Sequence, residues 1–560
     1  MFSGLSRRVL VTAALPYVYA PRHFGHLAGA YLPADIYARF RRLKGDTVLF
    51  VCGTDENAAS VILEALKQGL TPKELCDKYY DVQKEVFEKL AISFDIYSRT
   101  SKPIHYETVR EFYENLYRKG YVYPREITQL YCPSCRRPLP DRFVKGVCPY
   151  CGAEDQYGDV CEVCGRWYEA WELLNPRCSI CGAKPIEQKA VHWFLKLSAL
   201  TEDVLRYVEP KKYWRRATYN KTIDWLRREG LKDKDITRDY DWGPPAPFPN
   251  AEGQVIYNWA ENLLGYISAT KDWAMERNES DAWRSFWLDS NTELYCFIGK
   301  DNLFFHTILF PALLLAHGGY VLPENVVVNE FVTLEGRKLS TSRGWVVWLH
   351  EMLENFHPDI IRFYAARIAP EFRDSDFKWS DFMSKVNDEL IGNLANFLYR
   401  TLMLTYKLFN GEVPDPKMLT DEDRAYLERV DRFIVRVEKS LENFRFKEGL
   451  STILSISALG NRLLNEREPW REAIDEAART LYVALQIIYK LSILLSLYLP
   501  YTATKLRRIL GLSEQMRWDE LHDELKPGIK IGKPEIFFEK ISKEDIEREE
   551  AKLKVRVTEG

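Results

Sequence analysis

Several features are absent from this 560-residue sequence, and each absence excludes a class of protein. There is no charge excess: Lys+Arg 78 stand against Asp+Glu 81, a formal net charge of −3. Any nucleic-acid partner must therefore be met by local basic patches. There is no uninterrupted apolar run of about 20 residues, the length a membrane-spanning helix requires. The nearest approach, 481–501, is broken by Gln486 and Lys490 and closed by Pro500, so it reads as a buried helix. Arg7-Arg8 before the apolar Val9 to Tyr17 imitates an export signal. A short apolar run ahead of Gly/Pro-rich sequence is instead a buried parallel strand. No internal repeat or low-complexity tract occurs. With 46% hydrophobic and 28% charged residues the chain reads as an ordinary soluble globular protein, too long for one core and expected to divide into about three to five domains or subdomains.

Cysteine, by contrast, is concentrated. Eight of the eleven fall in four Cys-x-x-Cys pairs within 50 residues: Cys132 and Cys135, Cys148 and Cys151, Cys161 and Cys164, Cys178 and Cys181. A two-residue gap lets both thiolates of a knuckle reach one tetrahedral ion, so four knuckles supply two Zn2+ sites. Disulfides and redox pairs fit this repetition less well. Closing the shortest loop first costs least entropy, which groups Cys148, Cys151, Cys161 and Cys164 and leaves Cys132, Cys135, Cys178 and Cys181 for a nested second ion. Thiols kept for metal also argue against export. Cys52, Cys76 and Cys296 lie in apolar surroundings and read as core.

The fold class is α/β followed by an α-helical bundle. Val9–Leu15, a helix over 26–44 and a strand from Thr47 to Cys52 open a Rossmann-like parallel sheet. The cysteine-rich insert interrupts it, and strand-like runs return at 255–257, 294–298 and 325–332. The expected division is 1–118 and 251–330 for the split nucleotide fold, 119–250 for the insert, 331–387 for a loop and stem-contact domain, 388–532 for the helical domain and 533–560 for a tail. The tail starts extended at 535–538 and ends in a charged helix that either packs back or frays.

Two motifs carry chemistry. His23-Phe24-Gly25-His26 follows the first strand and opens a helix, where two imidazoles and the positive helix end can face phosphates. Roughly 310 residues later, Gly336-Arg337-Lys338-Leu339-Ser340-Thr341-Ser342-Arg343-Gly344 forms a cationic, glycine-bounded loop able to close over polyphosphate. Alone, either motif could be structural. Their order is that of class I aminoacyl-tRNA synthetases.

Leu15-Pro16-Tyr17, Gly53-Thr54-Asp55-Glu56, Ile236-Thr237-Arg238-Asp239, Trp259, Gly265-Tyr266, Phe297 to Asp301, Phe305-His306 and the lysine-serine loop make the resemblance specific. Over essentially its whole length the chain resembles the methionyl-tRNA synthetases. That resemblance implies that ATP and L-methionine give methionyl-adenylate, with Mg2+ accompanying the ATP, and that the methionyl group then passes to tRNA(Met). It implies His23 and His26 on the ATP phosphates, Asp55 on the methionine ammonium with Arg238 as its partner, and Lys338 as the loop cation. Gly25, Lys300, Asp301, Ser340, Thr341 and Arg343 would complete the ATP and adenylate site. Leu15, Tyr17, Trp259, Tyr266 and His306 would select methionine; aromatic walls suit a polarizable thioether.

The chain departs from the family pattern at Val18 to Arg22, at Asn57-Ala58, at Glu261-Asn262-Leu263 where Asp-Ala-Pro is usual, and at Asn329-Glu330. Thr341 takes the place of the second lysine in the lysine-serine signature. Lys338 and Arg343, helped by Arg22, are expected to supply the missing charge. In the helical region Asn396, Arg400 and Trp470 match the family positions that read the anticodon, and 206–238, with 11 Lys/Arg against five Asp/Glu, is a candidate acceptor-stem contact. Without an appended OB-fold module, a cytoplasmic monomer is expected, with room for a separate tRNA-binding protein and no membrane. The competing reading is a catalytically impaired paralogue that binds tRNA or scaffolds a complex.

Overall fold

A computed structural model describes residues 7–559 apart from 160, 162, 165, 167, 342 and 343, and apart from the side chains of 229 and 557–559. Strand β1 (Arg8–Ala13) carries Val9, Leu10 and Val11, all fully buried, so both its faces are covered. With β2 (Thr47–Thr54), β3 (Ile96–Arg99), β4 (Thr292–Gly299) and β5 (Pro323–Asn329) it forms a parallel sheet in the order β5-β4-β1-β2-β3. The chain builds outward from β1 to one edge, then returns to β1's other side as β4. The crevice beyond the carboxyl ends of β1 and β4 is thus a topological switch point, where such sheets bind ligands.

The insert is built on one long antiparallel pair, Val122–Cys132 with Ile186–Leu195, running in register from Val122↔Leu195 to Tyr131↔Ile186. All four knuckles sit at its far end. Two expected strands of the nucleotide fold turn out differently. Val255–Ile256 pairs antiparallel with Thr237–Arg238, outside the parallel sheet, because the Ile256 and Tyr257 N–H groups donate to Pro244 and Ile236 carbonyls. The 325–332 run ends as a sheet strand at Asn329, whose Nδ2 donates to the Gly29 carbonyl. Val332–Leu334 then joins a separate small sheet with Arg337–Lys338 and Ser375–Phe377.

From Pro358 the chain is predominantly helical, and Ile474–Tyr498 is its central rod. That helix is the only described one long and apolar enough to cross a membrane, and it is wholly buried in the protein. Its polar interruptions are satisfied inside: Lys490 Nζ donates to Asp431 and the Leu521 carbonyl, and Gln486 exchanges two hydrogen bonds with the Leu525 backbone. Gly460 lets two helices touch, since a Cβ there would lie 2.2 Å from the Phe397 ring. The C-terminal helix packs back: Arg556 makes a bidentate pair with Glu351, and Asn387 exchanges hydrogen bonds with the Ile541 backbone.

The two halves meet at Arg362, fully buried. Its guanidinium donates to Asp35 at 2.7 Å, to the Leu90 carbonyl at 3.0 Å and to the Tyr498 and Leu497 carbonyls at 2.8 and 3.2 Å. Burial alone would raise the Asp35 carboxyl, but Arg39, Arg362 and two hydrogen bonds from Ser93 outweigh it and hold Asp35 at about 2. Its contribution to stability is therefore present above its ordinary value of 3.8 and is lost as pH falls toward 2. Arg362→Met should cost about 3–5 kcal/mol by leaving three buried carbonyls without this donor and Asp35 with only Arg39 and Ser93 to meet its charge. Calorimetry should show both the catalytic and the helical transitions shifted down; an unchanged thermogram would refute the shared junction.

Candidate active site, cysteine clusters and helical-domain surface

The loops that leave β1, β2 and β4 meet at the switch point. Tyr17, after β1, bridges in parallel to Asp55, after β2, and the Asp55 N–H donates to the Pro16 carbonyl at 2.8 Å. His23 caps the helix that follows: its Nδ1 accepts from His26 N–H, while His26 Nδ1 accepts from His23 N–H. The two rings stack with centroids 3.5 Å apart. Burial, then the Arg22 charge, lowers His23 to about 3; burial with the His23 and Arg22 charges lowers His26 as well. Both imidazoles are therefore neutral at physiological pH. With each Nδ1 accepting, the proton stands on Nε2, ready to donate to an anion.

The signature segment folds onto this motif. His23 bridges to Trp348, Phe24 N–H donates to the Val347 carbonyl, and Leu349 N–H donates to the Arg22 carbonyl. Gly25 leaves room for this contact: a Cβ there would lie 2.8 Å from Leu339 Cδ1, and the leucine would have to shift. Ser340 pairs with Trp345 across the loop, with Thr341 exposed at its tip; Arg343 and Ser342 lie outside the described residues. Lys338 is exposed beside the cleft. Asp301 is solvent-accessible at the end of β4 but flanked by protein, which raises its carboxyl against the opposing Lys338 charge. Lys300 is tied down by Glu330 at 2.9 Å and Asp374 at 2.6 Å. Arg22 is committed too: it donates to the Tyr17 and Ala20 carbonyls at 2.6 and 2.9 Å.

The expected side-chain pocket forms a connected lining. Trp259 Nε1 donates to Tyr17 OH at 3.2 Å, Leu15 packs where Gly265 has no Cβ, and Tyr266 OH lies 2.8 Å from His306 Nε2. His306 Nδ1 faces the Asn302 carbonyl at 3.1 Å, which fixes its proton there and makes Nε2 the acceptor. Burial lowers His306 to about 4, so it is neutral as well. Asp55, 1% exposed, accepts from the side-chain amides of Asn258 and Asn262. Burial first, then the Glu261 carboxylate, raises Asp55. Behind it, Glu261 meets His105 at 2.5 Å, and burial favours the neutral form of each. Sequence reasoning missed Asn258 and Asn262 as residues facing Asp55. Their i,i+4 spacing on one helical face was the available signal.

Arg238 is placed differently from the expectation. Instead of partnering Asp55, it forms a bidentate pair with Asp141 at 2.9 and 3.1 Å, pairs with Asp235 at 3.1 Å and stacks on Tyr257. The reason is that Asp141 and Asp235, both within the insert that also carries Arg238, face its guanidinium. His192 spans Asp235 and Asp239 at 2.7 and 3.3 Å; burial lowers its pKa, but these carboxylates win and lift it to about 9.

Each predicted cysteine group closes into a cluster with all sulfurs within 4.8 Å: Cys132, Cys135, Cys178 and Cys181, and Cys148, Cys151, Cys161 and Cys164. Sulfur pairs at 3.5, 3.8, 3.9 and 3.6 Å bracket the ~3.8 Å edge of a tetrahedron with 2.3 Å metal–sulfur bonds. Backbone N–H groups of Cys135 and Cys164 point at Cys132 and Cys161. Both clusters can hold Zn2+.

On the helical domain, Asn396 is exposed and its amide donates to Asn461, while Arg400 donates twice to Asn465 at 3.0 Å and lies over the Trp470 ring. Trp470 is 41% exposed. These three converge on one surface. In 206–238 the structure divides the residues: Tyr207 and Trp214 bond to backbone carbonyls of Pro323 and Glu324, and Arg215 is committed to Val328, Asn329 and Phe444. Arg206, Arg216 and Arg228 remain exposed.

Residues 9–402 match the family model described as tRNA synthetases class I (M), and 413–556 match the anticodon binding domain of methionyl tRNA ligase. A methionine–tRNA ligase of Flavobacterium psychrophilum is 42% identical over 99% of this chain and 82% of its own length. That of Pyrococcus abyssi is 42% identical over 96% and 76%. Mycobacterium tuberculosis methionyl-tRNA synthetase, solved in complex with methionyl-adenylate, superposes with a TM-score of 0.79 at 25% identity, covering 95% of this chain and 99% of that one.

The His192 clamp has a direct consequence. Its ordering is complete below the ordinary histidine value of 6.5 and is lost as pH rises through about 9. The thermal midpoint should fall across that alkaline window, and His192→Gln should flatten the fall. A wild-type midpoint that stays level there would disprove the clamp.

Proposed function

The chain belongs to the class I methionyl-tRNA synthetases, and from that premise we propose how its own residues divide the two steps of methionine–tRNA ligation. The observation that carries the reading is the packing of the lysine-serine segment onto the histidine motif through Leu339 and Gly25, with Lys338 opposite Asp301 and the Tyr17–Asp55 bridge at the same end of the sheet.

ATP, entering with Mg2+, lies with its phosphates against His23 and His26. Neutral Nε2–H groups donate to them without holding a full charge of their own. Asp301 holds the adenylate ribose, and Lys338 supplies the cation for the departing pyrophosphate. Methionine is held by its ammonium at Asp55, and its thioether enters the Leu15, Tyr17, Trp259, Tyr266 and His306 wall. The carboxylate then attacks the α-phosphorus and pyrophosphate leaves; a ribose hydroxyl of the terminal adenosine of tRNA(Met) next attacks the adenylate's carbonyl carbon, forming the ester as AMP leaves. Positioned reactants and preorganised donors carry this chemistry, with no covalent enzyme intermediate. Asn396, Arg400 and Trp470 read the anticodon, Trp470 by stacking on an unpaired base. Both cysteine clusters hold Zn2+ and keep the insert, and through Asp141 the Arg238 loop, in place. The enzyme works as a cytosolic monomer.

Pyrophosphate exchange with zinc-replete protein across all twenty amino acids plus homocysteine tests this. Exchange with methionine and not with its isosteres is the expected result; silence throughout, with tRNA binding intact, would establish the impaired paralogue instead. Lys338→Ala should slow exchange about 10²- to 10³-fold, the scale of one transition-state contact, and Trp470→Ala should raise the KM for tRNA while leaving exchange unaltered. Cys161→Ser should release one equivalent of zinc and lower the melting of the insert, measured by metal analysis and calorimetry. Retention of both zinc equivalents would overturn the ligand set.

A further inference from the structure

Asn262 is the residue of the cleft whose chemistry is left open. It lies one turn beyond Asn258, in the Glu261-Asn262-Leu263 stretch where the sequence departs from the pattern of the family it resembles. Its Nδ2 donates to Asp55 Oδ2 at 2.9 Å. Its Oδ1 is buried and has no hydrogen-bond partner among the described residues. The orientation of the amide is not arbitrary, because the opposite flip would set a carbonyl oxygen against a carboxylate. The unpaired atom is therefore an acceptor.

A buried acceptor without a donor costs about 1–3 kcal/mol unless something supplies one. The other polar groups near Asp55 are already committed: Asn258 donates to Asp55, and Asn57 donates to Glu261 and the Thr100 carbonyl. What the site lacks is a small cationic donor. A primary α-ammonium has three N–H groups and no acceptor, and one bound at Asp55 needs further oxygens for its remaining protons.

We propose that Asn262 is a second ammonium-binding residue for the amino-acid substrate, accepting one N–H on Oδ1 while its Nδ2 holds Asp55 in place. This rests on the reading of the cleft as the methionine site. The amide thus does two jobs at once: it keeps the carboxylate turned toward the substrate and adds an acceptor that a small apolar residue cannot provide. The chemical consequence is selection for a free α-amine over analogues that lack it.

The test separates ammonium from carboxylate recognition, using the full-length protein. Binding is titrated with L-methioninol, which keeps the ammonium without the carboxylate, and with 4-(methylthio)butanoate, which keeps the carboxylate without the ammonium. Asn262→Ala should weaken methioninol about 10-fold or more, the scale of a hydrogen bond to a charged group, and leave 4-(methylthio)butanoate unchanged. Asn262→Leu, close to asparagine in shape, should give the same split and guards against a folding defect in the alanine variant. The loss should also be equal below and above neutral pH. A loss confined to the lower pH would assign the effect to protonation of Asp55, with Glu261 and Glu56 beside it, and would overturn the direct contact. Equal weakening of both ligands, or of neither, would overturn it as well. Methionine-dependent exchange by the wild type decides the underlying reading separately.

Discussion

Burying one guanidinium constrains the whole chain. Arg362 has no exposed surface, so each of its donors must be met inside, and the acceptors come from three different places: Asp35 on the helix after β1, Leu90 at the end of a neighbouring helix, and Tyr498 with Leu497 at the end of the central helical rod. None of these can move alone without stranding a polar group. Tyr501 OH on the Lys89 carbonyl, the Lys44–Glu438 pair and Arg215 on the Phe444 carbonyl continue the same seam. The switch-point cleft and the Asn396–Arg400–Trp470 surface are thereby parts of one frame, although they belong to different folds.

Within that frame the cleft is short of charge. Its histidines are neutral, its tyrosines are held protonated by burial, and Asp55 is turned between two amides. On the proposed function, charge enters chiefly with the substrates, as an ammonium, a carboxylate and a polyphosphate. On that reading, preorganised neutral donors, the Asp55 and Asp301 carboxylates and the Lys338 cation receive it, the buried ones in a medium where each interaction is stronger than in water. Strong ion pairs join loops around the cleft, at Arg238–Asp141 and Arg99–Glu56.

How much of this was legible in the sequence depended on how local the signal was. The Cys-x-x-Cys spacing placed eight ligands in two clusters, because loop closure and tetrahedral geometry leave few alternatives. Val9 to Val11 announced a strand buried on both faces, and the histidine motif announced the turn after it. The pairing of Arg238 with Asp141 is not legible in the sequence, because 97 residues separate the two and no local pattern brings them together. Val255–Ile256 has the apolar, β-branched look of a central strand, yet its backbone groups are claimed by Pro244 and Ile236. Asn258 and Asn262 were silent because asparagine on a short helix has many ordinary uses. Only the position of Asp55 against them gives the pair its meaning.

Thr341 can be placed in the same physical terms. Where a second signature cation is usual, the chain has a neutral residue exposed at the loop tip. Of the cations expected to compensate, Arg22 is occupied by the Tyr17 and Ala20 carbonyls, so it shapes the histidine turn and lowers His23 and His26 without being free to follow a leaving group. Lys300 is likewise held by Glu330 and Asp374. Among the described residues that leaves Arg337, which lies over the Trp345 ring, and Lys338, which faces Asp301, as the exposed cations of the loop. The loop itself is gripped from both sides. Leu339 rests in the space above Gly25, and Gly344, at a φ of +65° that favours glycine, lies so close to the Arg556 carbonyl that any Cβ would collide with it. Arg556 is in turn anchored by Glu351. The described ends of a loop with one signature cation fewer are thus held near the histidines by packing, and the C-terminal helix supports that packing although none of its described residues lines the cleft.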